Sequence, residues 1–138
     1  MKIILKRLND KLAFQASNSE GNLVNSDANP AIGGENLGMR PMELLLSSMI
    51  SCASIDILLI LKKKRIELSN YEVIAEGNRK EGVPSPFEKI HVLFKIGEND
   101  PIDQVEKAVI LSLEKYCSVS ASLAKEIKIT HQIIQENV

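Results

Sequence analysis

Tryptophan is absent from this 138-residue chain, and its three phenylalanines and two tyrosines form no stacking platform among basic residues. With a formal net charge of -1 there is no basic excess either, so no nucleic-acid partner is expected. GxSxG, Walker-type and GxGxxG sequences do not occur, which leaves nucleophile-elbow and nucleotide-binding chemistry without a motif. Cysteine is scarce. Cys52 and Cys117 are too few for a disulfide scaffold and too far apart for a CxxC metal or redox motif; they are either buried structural thiols or they meet in space. A zinc site drawn from Cys52, Cys117, His91 and His131 has suitable ligand types but no close ligand spacing, and no metal or cofactor is expected. The chain opens without a charged n-region, apolar h-region and small-residue cleavage site, so the expected location is the cytoplasm.

What is abundant is apolar sequence in one place. Pro41 to Leu61 reads PMELLLSSMISCASIDILLIL, with Cys52 in its middle. Pro41 suits a first helical position, Glu43 puts negative charge in the first turn, and Lys62, Lys63, Lys64 and Arg65 suit the negative end of the helix dipole. The prediction is one helix buried on nearly every side. Leu45, Met49, Cys52, Ile55 and Leu59 fall on one face, and Glu43, Ser47, Ser51 and Ser54 form a stripe of small or polar side chains. Leu44 to Leu61 is nearly long enough to span a bilayer. Asp56 inside it would cost about 2.5 to 3.5 kcal/mol near a membrane centre and the serines add to that, so a buried core helix is preferred and no membrane partner is expected. Such a helix is hard to cover within one subunit of about six short strands, which points to a homodimer.

The chain, 44% hydrophobic and 25% charged, fits a single domain over residues 1–138. Lys2 to Leu8, Leu12 to Ser17 and Leu23 to Ser26 are predicted as an antiparallel meander. Asp27 to Gly38, with Pro30 and Gly33, Gly34 and Gly38, is predicted as a loop placed to arch over the thiol of the following helix. Tyr71 to Glu76 and Ile90 to Ile96 read as strands; Ile90, Val92, Phe94 and Ile96 should face the core, and His91 solvent. Asp100 is read as the N-cap of a helix with Pro101 at its first position and Ile102, Val105, Val109 and Leu113 at helical spacing. Ser118 is read as the N-cap of a further short helix, which sets Cys117 where a thiolate is favoured. Ile127, Ile129, His131 and Ile133 alternate in a final strand, with His131 as a hydrogen-bonded core residue.

The run from Ile32 to Leu46 (IGGENLGMRPMELLL), its continuation Ser51-Cys52-Ala53-Ser54-Ile55-Asp56, and the later Glu114-Lys-Tyr-Cys117-Ser-Val119 and Ile129-Thr-His131 resemble the OsmC/Ohr superfamily. The narrower resemblance is to the OsmC-like branch in which Pro-Met-Glu opens the helix. The resemblance implies an α+β fold in an intertwined homodimer, with antiparallel sheets of about six strands per chain wrapped around two long central helices. It also implies a peroxidase that reduces alkyl or lipid hydroperoxides, with Cys52 at the peroxidatic position, Cys117 at the resolving position and a dithiol of the lipoyl kind as reductant. A buried thiolate needs a cation. In the family a glutamate orients an arginine against the thiol; here Met42 holds that place and Glu43 follows, roughly 100° further round the helix. Arg40 is the first choice for the arginine, and Arg7 is the competitor.

Two classes of function follow. One is a thiol-dependent peroxidase working through a Cys52 sulfenic acid captured by Cys117. The other is a non-catalytic or redox-sensing homodimer that binds a small hydrophobic ligand in its interface cleft, with Cys52 as lining. Two thiols within disulfide reach would favour the first.

Overall fold

The computed structural model describes residues 1–137. It is an α+β chain of six strands in two three-stranded sheets, one on each of two compact units, Met1–Leu45 and Leu46–Val138.

The first unit holds β1 (Ile4–Arg7), β2 (Phe14–Ser17) and β3 (Leu23–Ser26), paired in order as the antiparallel meander that the sequence predicts. The first two strands start later than expected because side chains organise their turns. Asn9 Oδ1 accepts from the Lys11 amide at 3.0 Å, and Asn18 Oδ1 accepts from the Glu20 and Asn22 amides at 3.1 and 2.9 Å, the local bonding that makes asparagine a turn residue. Ile4, Leu5, Leu23 and Val24 remain exposed on this sheet.

Asp27 governs the loop that follows. Its carboxylate, almost fully buried, accepts from the amides of Ala28, Glu35 and Leu37 at 2.7, 2.8 and 3.2 Å. Residues 27 to 38 are thus folded back on one acceptor, and a Cβ at Gly34 would collide with the Ala28 carbonyl. Within the loop Asn29 caps a single 3-10 turn, Pro30–Ile32, which the sequence reading did not include.

The long helix α1 (Pro41–Lys63) starts where Pro41 places it. Glu43, the third helical residue, closes that end with the glutamate half of a capping box: its Oε2 accepts from the Arg40 amide at 2.9 Å. At the other end Ile66 N donates to Leu61 O and Arg65 N to Lys62 O, both about a normal hydrogen-bond length, with Arg65 in the left-handed region at φ 59°. This is a Schellman termination with arginine where glycine is usual. Among the described residues, α1 is the helix long and apolar enough by length and composition to cross a membrane. Within the chain it is tied by polar bonds along its course, including one from Tyr71 Oη to Ser54 Oγ at 3.0 Å.

In the second unit β4 (Tyr71–Arg79), β5 (Phe87–Gly97) and β6 (Lys128–Glu136) form the other sheet. The β4–β5 pair is antiparallel, but β5–β6 is parallel, a departure from the all-antiparallel expectation. The cause is the segment between them: α2 (Ile102–Leu111), a wide π turn (Ser112–Tyr116) and α3 (Ser118–Ser122) carry the chain back across the sheet, as a parallel pairing requires. The predicted inward set Ile90, Val92, Phe94 and Ile96 is fully buried, together with Val105, Ala108 and Val109 of α2.

Two further expectations need correcting. Asp100 does not cap α2, whose cap position is Pro101 without a side-chain bond. The Asp100 carboxylate instead accepts from the Ser69 amide and hydroxyl and from the Gly97 amide at 2.7 to 3.1 Å, which ties the start of β4 to the end of β5. Nor is α1 buried on nearly every side of a single chain. Only Met49, Ala53, Ile57 and Leu61, four residues apart, are fully buried, whereas Ile55, Leu58 and Leu59 are exposed. The predicted face of Leu45, Met49, Cys52, Ile55 and Leu59 is therefore split between packing and surface.

The left-handed Arg65 generates a stability prediction. Arg65→Gly removes the steric cost of that conformation and should stabilise the fold by about 1 kcal/mol after the unfolded-state entropy of glycine is offset, raising Tm by about 3 °C in calorimetry. A lower Tm would contradict the termination described.

Candidate functional site

The site is built where the end of α2 meets the middle of α1. Residues 112 to 116 wind one residue wider than an α-helix, so that the Cys117 amide donates back to Ser112 O at 2.8 Å. Ser112 Oγ then donates to the Ala53 carbonyl at 3.2 Å, and Cys117 Sγ lies 3.8 Å from the Met49 carbonyl. Both acceptors are on α1, one turn apart, on the flank that carries Cys52 between them. The two cysteines, 65 positions apart in sequence, become neighbours close enough for each thiol to feel the other. Both are free, Cys117 buried and Cys52 partly exposed.

Cys117, not Ser118, is the cap residue of α3. Its sulfur accepts from the Ser120 amide at 3.4 Å and from Ser120 Oγ at 3.2 Å. The thiolate expected there does not follow from the cap alone. Burial pushes the Cys117 thiol up from its ordinary value; the two Ser120 donors oppose this, and the Cys52 thiol beside it adds to the rise. Desolvation outweighs the two donors. Ser120 is the residue that sequence reasoning missed at this site, and its signal is a hydroxyl three positions after a cap residue.

Arg40 and Glu43 are brought together at the start of α1. Arg40 Nη1 donates to Glu43 Oε1 at 2.8 Å in addition to the amide bond. The Arg40 amide, then its guanidinium, holds the Glu43 carboxyl below its ordinary range. Arg40 Nε is buried and has no hydrogen-bond partner among the described residues, so this guanidinium retains an unspent donor. Arg7 is otherwise engaged: its guanidinium donates to the carbonyls of Lys11 and Asp10 in its own hairpin.

The histidines lie elsewhere. His91 Nδ1 is 2.9 Å from Thr130 Oγ1, and His131 Nε2 is 2.9 Å from Glu106 Oε1. No group of three or more His, Cys, Asp or Glu side chains suited to a metal occurs among the described residues.

The model of the OsmC-like protein family matches residues 33–132, which include both cysteines, Arg40 and Glu43. This chain belongs to the OsmC-like family. It is 35% identical over 121 residues to the protein YhfA of Escherichia coli K12, covering 87% of each. Among solved structures, a hypothetical protein from Aquifex aeolicus is 33% identical with a TM-score of 0.79, covering 99% of this chain and 97% of that one. An organic hydroperoxide resistance protein from Elizabethkingia anophelis shares the fold at a TM-score of 0.72 over 99% of this chain and 97% of that one, with 14% identity. Within this OsmC-like chain the cap glutamate one place later, at Glu43, still reaches an arginine, because its neighbour Arg40 supplies one.

Two outcomes follow from the thiol environment. Ser120→Ala should raise the Cys117 thiol further and slow its alkylation at neutral pH, while Ser120→Thr, which keeps the hydroxyl, should restore the rate; thiolate absorbance in a Cys52→Ser background reads both. Because folded Cys117 holds its proton more tightly than the unfolded chain, its contribution to stability is complete below the ordinary thiol value of 9.0 and is lost as pH rises above it. Tyr71, raised by burial from 10.0, acts in the same direction at higher pH. Urea midpoints should therefore hold up to about pH 9 and fall above it, less steeply in Cys117→Ser.

Proposed function

We propose that this OsmC-like protein is a thiol-dependent peroxidase for organic hydroperoxides, working as a homodimer. The observation that carries the reading is the pair of free thiols side by side, one partly exposed and one buried. The hydroperoxide resistance protein that shares its fold lends the substrate class.

In this reading the Cys52 thiolate attacks the distal oxygen of the hydroperoxide. The O–O bond breaks, the alkoxide leaves and takes up a proton as an alcohol, and Cys52 becomes a sulfenic acid. Cys117 sulfur then attacks Cys52, the hydroxyl leaves as water, and a disulfide closes. A dithiol reductant of the lipoyl kind restores both thiols by two exchange steps and departs as its own disulfide. Because Cys117 holds its proton until it is needed, the partly exposed Cys52 is the sulfur to meet the peroxide first. A cycle through free thiols suits a reducing compartment such as the cytoplasm.

The homodimer reading rests on the exposed apolar flank of α1, Ile55, Leu58 and Leu59, and on the exposed apolar side chains of the β1–β3 sheet. Burying them against a second copy supplies the coverage that one chain lacks. An apolar interface would also favour alkyl hydroperoxides over hydrogen peroxide. There the Cys52 thiolate is to meet its cation, with Arg40 as the source, since its Nε is unspent whereas the Arg7 guanidinium is taken up in a turn.

Cumene hydroperoxide consumption by the reduced protein tests this. Cys52→Ser should abolish consumption, Cys117→Ser should consume one equivalent and stop, and Arg40→Ala should slow the first step while Arg7→Ala leaves it near wild type. Light scattering at micromolar concentration should show a dimer. Equal consumption by Cys52→Ser and wild type would contradict the peroxidase, and an unreactive but apolar-ligand-binding dimer would put the binding function in its place.

A further inference from the structure

Lys95 and Lys89 stand on the same face of β5, and only Lys95 has its charge answered. Its Nζ lies 3.1 Å from Glu72 Oε1 on β4 and 3.6 Å from Glu136 Oε1 on β6. At Lys89 the register places Asn78 on β4 and Lys128 on β6. The two flanking positions that could answer with carboxylates therefore hold an amide and a second ammonium. Like charges directly opposite on neighbouring strands destabilise a sheet, and neither lysine has an ion-pair partner among the described residues.

A cavity of about 270 Å3 lies at this place, lined by Asn78, Lys89, Ile90, His91, Lys128 and Thr130. Its polar lining is rich in donors. His91 Nδ1 and Thr130 Oγ1 are 2.9 Å apart; whichever of them donates, one proton stays unspent, on Nε2 in one tautomer and on the threonine hydroxyl in the other. Asn78 offers an amide and the lysines their ammonium groups, while no carboxylate lines the cavity. Glu76, paired with His91 on β4, is not part of the lining.

We propose that this cavity binds a small organic phosphate monoester, a site independent of the thiols. Two ammonium groups on directly paired positions converge on a single head group, and a phosphoryl group concentrates roughly -1.5 to -2 of charge there, where a carboxylate carries one. The cavity is open to solvent on one side, which leaves room for the organic body.

Titration of the full chain with glycerol 3-phosphate, inorganic phosphate and succinate, followed by amide NMR, tests the assignment. Glycerol 3-phosphate should give saturable shifts at Lys89, His91, Lys128 and Thr130 and bind more tightly than the other two. Lys89→Gln and Lys128→Gln should each weaken it about tenfold, the loss of one charge-assisted bond. The same substitutions should raise Tm without ligand by relieving the cross-strand repulsion, which separates lost binding from lost folding. No saturable shift at about 10 mM, or unchanged binding in the double variant, would overturn the site. Tighter binding of succinate, or equal binding of inorganic phosphate, would overturn the monoester assignment.

Discussion

The site depends on two backbone carbonyls of α1. Met49 O and Ala53 O each meet a group from the far end of α2, Cys117 Sγ and Ser112 Oγ. A regular α-helix through residues 112 to 116 would turn those side chains elsewhere; the wider π turn, closed by Cys117 N on Ser112 O, aims both at α1. Once Ser112 and Cys117 are seated, the Cys117 sulfur has little choice of neighbour. It receives Ser120 on one side and Cys52 on the other.

The proposed chemistry follows from an asymmetry between otherwise alike thiols. Cys117 is enclosed, and burial keeps it protonated against two donors that would stabilise its charge. Cys52 is partly open on a helix whose neighbouring flank, Ile55, Leu58 and Leu59, is apolar and uncovered in one chain. A resolving sulfur should be shielded and close, and a peroxidatic one accessible and near a cation. The uncovered surface beside Cys52 is where the proposed dimer would have to supply the last of these.

The parts of the structure written in local pattern were legible in the sequence. The alternation of Ile90, Val92, Phe94 and Ile96 gave the inner face of β5, and Pro41 with Glu43 gave the start of α1. Pairing direction was not legible, because alternation marks a strand but not its partner, and β6 proved parallel to β5. Arg65 hid the helix end behind a residue that seldom takes a left-handed conformation. Asp100 looked like a cap by position, yet three donors from Ser69 and Gly97 outbid the helix for its carboxylate. At the site, both cysteines could be named from the resemblance. Their adjacency could not be read from a separation of 65 positions, and neither Ser120 nor the Asp27 hub of the loop stood out among ordinary polar residues.

The most direct measurement is the intact mass and peptide map of the reduced protein after one equivalent of cumene hydroperoxide. The expected result is the loss of two hydrogens per chain and a single cross-linked peptide joining Cys52 to Cys117. An added oxygen retained on Cys52 with Cys117 still a free thiol, or no mass change in excess peroxide, would contradict it.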